Sequence, residues 1–150
     1  MAHTFNCCRN LLLALLLLVS PPALAQQMVS VPGKELNMRS GPGTQHPVEW
    51  VLSRGYPLQV VGRQGRWLKV VDFEKDTGWV YEPLTDRTPY HIVTVKTANL
   101  RSEASTASKI LARLIYGDVL RTLTRDKDWV RVQHNNGTKG WVARRLLWGW

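Results

Sequence analysis

Apolar residues recur at every second position in two separate stretches of the chain. The pattern covers residues 48–52 and again residues 110–114, and a period of two is typical of half-buried β-strands. Further β-rich segments follow at 58–60, 67–70 and 79–80. Turn signals separate them, among them Arg54-Gly55, Gln64-Gly65 and Asn136-Gly137, in which glycine or asparagine supplies a positive φ. The pattern predicts short strands joined by tight turns and an all-β fold.

The chain contains an internal duplication. An offset of 62 residues aligns 29–84 with 91–146 without a gap, and 16 of the 56 aligned positions are identical. Chance would produce roughly one match in fifteen for an ordinary composition. We therefore expect two units of the same fold, at residues 28–86 and 90–148.

Each unit is small for an independent domain. Five short strands in so few residues indicate a small, strongly bent barrel, which buries a smaller share of its surface than a larger domain does. Trp67/Trp129 and Trp79/Trp141 recur at matching positions inside strands. We therefore expect these tryptophans to pack in the barrels and to carry much of their stability, with ligand contact as the alternative role. The connection at 85–90 is short, so the units are expected to contact each other.

An ordered series of motifs occurs in both units. The first unit contains Asn37-Met38-Arg39-Ser40-Gly41-Pro42-Gly43, Gly55, Trp67-x-x-Val70, Gly78-Trp79-Val80 and Leu84; the second contains Asn99-Leu100-Arg101-Ser102, Gly117, Trp129-x-x-Val132, Gly140-Trp141-Val142 and Leu146. The series resembles the bacterial SH3-like (SH3b) domain. The resemblance implies small β-barrels that are not catalytic and that bind or target within the cell envelope, often toward peptidoglycan or its peptides. The second unit departs at Glu103-Ala104-Ser105, which replaces Gly41-Pro42-Gly43.

The first 25 residues have the pattern of a cleaved signal peptide. Arg9 precedes an apolar run at 11–19, two prolines follow, and Ala23-Leu24-Ala25 fits a cleavage site. The run is far shorter than the ~20 residues needed to span a bilayer. We expect an exported protein, periplasmic or extracellular, with no transmembrane segment in the mature chain.

The sequence offers little that could support catalysis. Both cysteines, Cys7 and Cys8, lie in the predicted signal peptide. His46, His91 and His134 are isolated from one another, so neither a hydrolase triad nor a zinc site is expected. Residues 72–76 resemble the opening of a calcium loop but lack its glycine and final glutamate, so we interpret them as a hairpin tip. We predict no enzyme activity, no cofactor and no metal.

Several aromatic residues of the first unit have no aromatic counterpart in the second. Trp50, Tyr56 and Tyr81 align with Ala112, Asp118 and Ala143. A barrel that folds with the smaller residues does not need the larger ones, so these three are candidates for a ligand groove or for the interface between the units. A repacked core is the alternative. The unmatched Phe73 belongs to the same group, and Tyr116 is unmatched in the second unit.

The formal net charge of +9 is unevenly distributed. Residues 37–84 carry six basic and five acidic side chains, whereas 99–146 carry ten basic and four acidic. Arg121, Arg125, Arg131 and Arg144 belong to this excess and are predicted to attract polyanions. Because the chain is expected to be exported, peptidoglycan carboxylates, envelope phosphates and anionic proteins are candidates, and nucleic acid is not. A face that only keeps the protein soluble is the alternative.

Arg39 and Arg101 recur where the first long strand of each unit ends. We expect each guanidinium to hold the following loop through backbone carbonyls. Taken together, the sequence predicts a non-catalytic envelope module that recognises peptidoglycan peptide or an exported protein partner. A structural adaptor that docks only on another envelope protein is the alternative.

Overall fold

A computed structural model of the protein describes residues 26–150. The predicted signal peptide at 1–25 lies outside the described residues. Two antiparallel sheets make up the fold, one in each predicted unit. The expected all-β architecture of two small units is thus confirmed. No helix among residues 26–150 has the length and apolar character that a membrane crossing requires.

The first sheet has the strand order β1-β4-β5-β6-β2-β3. Its strands are β1 (Met28–Val29), β2 (Glu35–Arg39), β3 (Val48–Ser53), β4 (Leu58–Gln64), β5 (Trp67–Val71) and β6 (Thr77–Tyr81). A 3₁₀ turn at Glu82–Leu84 follows β6. Register shifts interrupt the β2–β3 and β4–β5 ladders, and such irregularities bend a sheet.

The second sheet repeats this order and adds one strand, giving β13-β7-β10-β11-β12-β8-β9. Its strands are β7 (Tyr90–Val93), β8 (Thr97–Arg101), β9 (Ile110–Ile115), β10 (Val119–Arg125), β11 (Trp129–Gln133), β12 (Lys139–Ala143) and β13 (Leu147–Gly149). Arg144–Leu146 form a 3₁₀ turn. Offset by 62 residues, β8, β9, β11 and β12 have the bounds of β2, β3, β5 and β6. β13 pairs with β7, so the last strand of the chain belongs to the second sheet.

The turn glycines behave as the sequence predicts. Gly55 and Gly117 occupy the same turn in the two units with φ of 79° and 84°. Gly137 has φ of 89° in the hairpin between β11 and β12. A side chain at these φ values is strained, which explains why glycine stands there.

Both cores are aliphatic. The first is built from residues such as Met38, Leu58 and Leu68, and the second from residues such as Leu100, Leu114 and Leu120. The tryptophans that were expected to pack in the barrels lie outside these clusters, and their contribution to stability stays a prediction. Trp67, Trp79 and their counterparts are half-buried and belong to neither cluster.

The two units touch, as the short connection predicts. Ser30 and Asp86 exchange backbone hydrogen bonds of 2.9 and 3.0 Å, which tie the connection to the first unit. The ring of Phe73 lies 5.4 Å from that of Tyr116, and the Tyr116 hydroxyl donates to Glu74. Two of the unmatched aromatic residues therefore lie at the interface between the units.

Candidate binding grooves

The first unit has an open groove of about 370 Å³ along one side of its sheet. β2 supplies one wall, and the start of β5 and the end of β6 supply the other. The lining residues are Glu35, Leu36, Asn37, Arg39, Thr44, Trp67, Tyr81 and Leu84. Volumes of this size are typical of small-ligand sites.

Two aromatic rings form the apolar wall of this groove. Trp67 and Tyr81 are register partners on β5 and β6, and their ring centroids are 5.3 Å apart. The guanidinium of Arg66 lies 5.5 Å from the centroid of Tyr81, a cation–π arrangement. Neighbouring elements therefore hold the Tyr81 ring in place, and its free surface faces the groove.

An ion pair holds the turn after β6. Arg63 on β4 makes two hydrogen bonds to the carboxylate of Glu82, one of them 2.9 Å long. These bonds hold the pKa of Glu82 below its ordinary value. Because Glu82 follows Tyr81 directly, the pair also fixes the end of the aromatic wall.

The predicted role of the repeated arginines is confirmed. Arg39 donates to the carbonyl oxygens of Thr44 and His46, at 3.2 and 2.8 Å. Arg101 donates to the carbonyl oxygen of Ser108 at 2.9 Å. The guanidinium thus fixes the loop that forms one end of each groove, although the loops differ in sequence.

An equivalent but smaller groove of about 110 Å³ lies in the second unit. Five lining positions keep their residues, namely Asn99, Arg101, Thr106, Trp129 and Leu146. Ala143 replaces Tyr81, and Arg145 lines the groove. A neighbouring cavity of about 510 Å³ adds Lys127 and Arg144. The second groove therefore has one aromatic ring in its wall instead of two, and basic residues lie at its rim.

The structure separates the three aromatic candidates of the first unit. Tyr81 lines the groove. Trp50 lies on β3 at the outer edge of the sheet, 52% exposed and away from the groove lining. Tyr56 packs against the core and donates a 3.1 Å hydrogen bond to Asp72. Burial and the Asp72 carboxylate raise the pKa of Tyr56.

The four basic candidates are also dispersed. Arg121 lines a cavity between the units, whereas Arg144 lines the cavity beside the second groove. Arg125 and Arg131 are exposed on the neighbouring strands β10 and β11.

Sequence reasoning placed Trp67 in the barrel and passed over Asn37. In the structure both line the groove, together with Leu84 and Thr44. All four residues are identical in the second unit. Their recurrence in both units was the sequence signal for the groove, but for Trp67 that recurrence inside a strand had been interpreted as packing.

Three carboxylates meet at the hairpin between β5 and β6. Oxygens of Asp72, Glu74 and Asp76 lie within 4.8 Å of one another. Asp72 already accepts hydrogen bonds from the backbone N–H groups of Glu74 and Asp76, each 2.9 Å long, and from Tyr56. Through these bonds Asp72 stabilises the backbone of the predicted hairpin tip.

Comparison with known proteins locates this architecture in a family. The chain is 30% identical over 131 residues to the Bacillus subtilis protein named "Putative N-acetylmuramoyl-L-alanine amidase YrvJ", covering 75% of this chain and 25% of that protein. An NlpC/P60 family protein from Bacillus cereus matches with a TM-score of 0.39 and 19% identity, over 83% of this chain and 56% of that one. NlpC2 from Trichomonas vaginalis matches with a TM-score of 0.37 and 18% identity, over 83% and 48%.

This chain thus spans a quarter of the amidase and about half of the two solved proteins. The family model described as bacterial SH3 domain matches it twice, at residues 32–86 and 94–149. The second copy follows the first at the spacing that the internal duplication predicts, and both contain the grooves described above. The chain belongs to the bacterial SH3 domain family, as a tandem pair of SH3-like barrels.

Proposed function

We propose that the protein is a non-catalytic binding module of the bacterial cell envelope, exported to the periplasm or beyond, that recognises peptidoglycan peptide. The observation that carries the proposal is the groove with two aromatic rings, Trp67 and Tyr81, in the first unit. Two further facts support it. The related B. subtilis protein is named for an activity on N-acetylmuramoyl-L-alanine, and residues 1–25 resemble a signal peptide.

The groove combines the groups that a short peptide needs. The Trp67 and Tyr81 rings offer an apolar surface for side chains or the peptide backbone. Asn37 is exposed along β2 and supplies an amide donor and acceptor. Glu35 places a carboxylate at the same wall, where it can pair with an ammonium group of the ligand.

The second unit contributes charge to the same function. Lys127, Arg144 and Arg145 surround its groove, with Asp128 as the acidic neighbour. Arg121, Arg125 and Arg131 extend the positive field. Peptidoglycan peptides carry carboxylates, and the field raises their local concentration near both grooves.

Family membership supports the non-catalytic part of this proposal. The bacterial SH3 domain model covers residues 32–86 and 94–149, and such domains are binding modules.

Retention on purified peptidoglycan tests the proposal. The protein is expected to sediment with the insoluble wall, and Tyr81→Ala is expected to reduce its retention. Because Ala143 occupies the same position in the second unit, the alanine is compatible with the fold. Trp50→Ala is the matched control, since it removes an exposed aromatic ring outside the groove.

Two outcomes would contradict the proposal. Retention of Tyr81→Ala equal to that of the unchanged protein would exclude this groove as the site. Retention that stays constant as the salt concentration is raised would show that the basic residues of the second unit do not contribute to wall binding, because screening weakens contacts between exposed charges.

One observation favours the alternative of a structural adaptor. Val48, Trp50 and Val51 are exposed on β3, the outer strand of the first sheet. An edge strand with apolar side chains can add a partner's strand or pack against another protein. Failure to bind the wall, together with capture of one stoichiometric envelope protein that Trp50→Ala abolishes, would select the adaptor.

A further inference from the structure

A cavity of about 500 Å³ lies where the two units meet. Arg54 lines it from the first unit. The second unit supplies most of the remaining lining, including Tyr90, Arg121, Gln133, His134 and Asn135. The cavity is distinct from both grooves, shares no lining residue with them and depends on the contact between the units.

The backbone around Arg54 is held by its neighbours. The N–H of Arg54 donates to the Lys34 carbonyl at 3.1 Å, and that of Gly55 donates to the Val31 carbonyl at 2.8 Å. A Cβ atom on Gly55 would lie 2.5 Å from the Tyr90 ring, so this turn sits directly against the second unit. The backbone that carries the Arg54 side chain is therefore held in place beside the cavity that this side chain lines.

Arg121 is fixed from the opposite side. It lies in the middle of the second sheet, with Tyr90 on β7 and Gln133 on β11 as its register partners. Leu120 and Thr122 on either side of it are buried, so the Arg121 side chain points away from the core. Two arginines from different units thus border one cavity.

The two arginines of this cavity form no close ion pair with a carboxylate of the described residues. Within residues 26–150, neither Arg54 nor Arg121 has a carboxylate oxygen within 4.0 Å. The nearby Asp118 is 3.9 Å from Nε2 of His134 and accepts a 2.8 Å hydrogen bond from the Ile115 N–H. Guanidinium groups without a protein partner favour an external oxyanion, and the cavity also contains side-chain amide donors.

The duplication supplies an internal comparison. The 62-residue offset relates Arg54 to Tyr116 and Asn135 to Phe73. In the first unit, the turn with Arg54 faces the hairpin of the second unit that contains Asn135. In the second unit, the equivalent turn with Tyr116 faces the hairpin of the first unit that contains Phe73. One contact is closed, since the Tyr116 ring lies 5.4 Å from Phe73 and its hydroxyl donates to Glu74. The other contact has Arg54 and Asn135 at these positions and leaves the cavity open.

We infer that the cavity between the units is an oxyanion-binding site that takes a carboxylate or phosphate group through Arg54 and Arg121. A bound anion fills the space between the units at Arg54 and Asn135, whereas the rings of Tyr116 and Phe73 fill the equivalent space at the other contact. The site is independent of the peptide groove, and its ligand bridges the two units.

Titration of the purified protein with inorganic phosphate, and separately with acetate, tests the site. Ionic strength is held constant with sodium chloride, and the Nε–Hε signals of both arginines are followed by NMR. Saturable shifts at Arg54 and Arg121 are expected. Arg54→Gln and Arg121→Gln are each expected to weaken binding roughly tenfold, because a hydrogen bond to a charged group is lost. Arg113→Gln is the matched control, an exposed arginine on β9 outside the cavity.

The outcomes separate this site from the groove and from diffuse charge. Shifts with phosphate alone assign a phosphate ligand, shifts with acetate alone assign a carboxylate, and shifts with both show that the site accepts either group. The absence of saturable shifts with both anions would overturn the inference. Equal weakening by Arg113→Gln, or unchanged titration of both cavity variants, would overturn the inference. Tyr81→Ala is expected to leave the titration unchanged, so loss of peptidoglycan binding and loss of anion binding are distinguishable.

Discussion

The two grooves share one framework and differ in one wall. Asn37, Arg39 and Trp67 line the first, and Asn99, Arg101 and Trp129 line the second. Where the first has the Tyr81 ring packed at an angle of 48° against its tryptophan, the second has Ala143. The duplicated barrel therefore keeps five of the groove-lining residues and varies the aromatic wall, which under the proposed function contacts the ligand.

The two units also differ in the 3₁₀ turn that follows β6 in the first unit and β12 in the second. In the first unit Arg63 is paired with Glu82. The corresponding residues of the second unit are Arg125 and Arg144, so the position of a carboxylate is taken by a second cation. The first unit therefore neutralises charge at this turn, whereas the second unit accumulates positive charge there.

The largest expected effect comes from a glycine that packs differently in the two units. A Cβ atom at Gly140 would lie 2.6 Å from the Arg101 carbonyl oxygen, a backbone atom. At Gly78 it would lie 2.5 Å from Cγ of the Met38 side chain and farther, at 3.1 Å, from the equivalent carbonyl oxygen of Arg39. Gly140→Ala is expected to destabilise by about 3 kcal/mol and Gly78→Ala by about 1 kcal/mol. Urea unfolding measures both, and equal losses would contradict the comparison.

The second expected effect is acid sensitivity confined to the second unit. Burial lowers the pKa of His91 to about 4, and the charges of Arg125 and Arg144 act in the same direction. The unfolded imidazole has a pKa near 6.5, so protons bind preferentially to the unfolded chain between these values. Stability is fully present above about pH 6.5 and falls by about 2 kcal/mol on reaching pH 5.

His91→Val tests this expectation, because Val29 occupies the corresponding position of the first unit. The difference in unfolding free energy between the variant and the unchanged protein is measured at pH 7 and pH 5. The variant is expected to lose less stability over this interval. Identical losses would mean that His91 is not the source.

The third expected effect is on binding. Exchanging the wall residues, Tyr81→Ala together with Ala143→Tyr, moves the second ring from one groove to the other. Tyr81→Ala alone is expected to weaken wall binding about tenfold, or about 1.4 kcal/mol, through lost stacking and apolar contact. Partial recovery in the double variant, measured by sedimentation, would show that Tyr81 supplies the difference. No recovery would indicate that the basic residues around the second groove prevent binding of the ligand of the first groove.

The smallest expected effect restores an ion pair. Arg144→Glu places a carboxylate where Glu82 stands in the first unit, opposite Arg125 in place of Arg63. An exposed pair of this kind contributes about 0.5 kcal/mol, so thermal stability is expected to rise slightly. The salt dependence of wall retention is expected to decrease, because one cation is removed and another is neutralised. Arg113→Gln controls for the loss of one positive charge.

The sequence alone determined the local features of this protein. Strict recurrence at 62 residues established two units, and positive-φ glycines such as Gly55 and Gly137 marked the turns. The loop-holding role of Arg39 was also predictable, because a repeated guanidinium beside a loop has backbone carbonyls within reach. These features depend on residues close together in the chain.

Only the tertiary structure decided which side chains share a surface. Trp67 and Tyr81 meet because β5 and β6 pair in one register, while Trp50 lies on an outer strand and is left exposed. Arg54 and Arg121 border one cavity because the units meet at the Gly55 turn. Strand register, sheet curvature and docking between units arise from contacts distant in the chain, and alternation patterns in a sequence do not contain them.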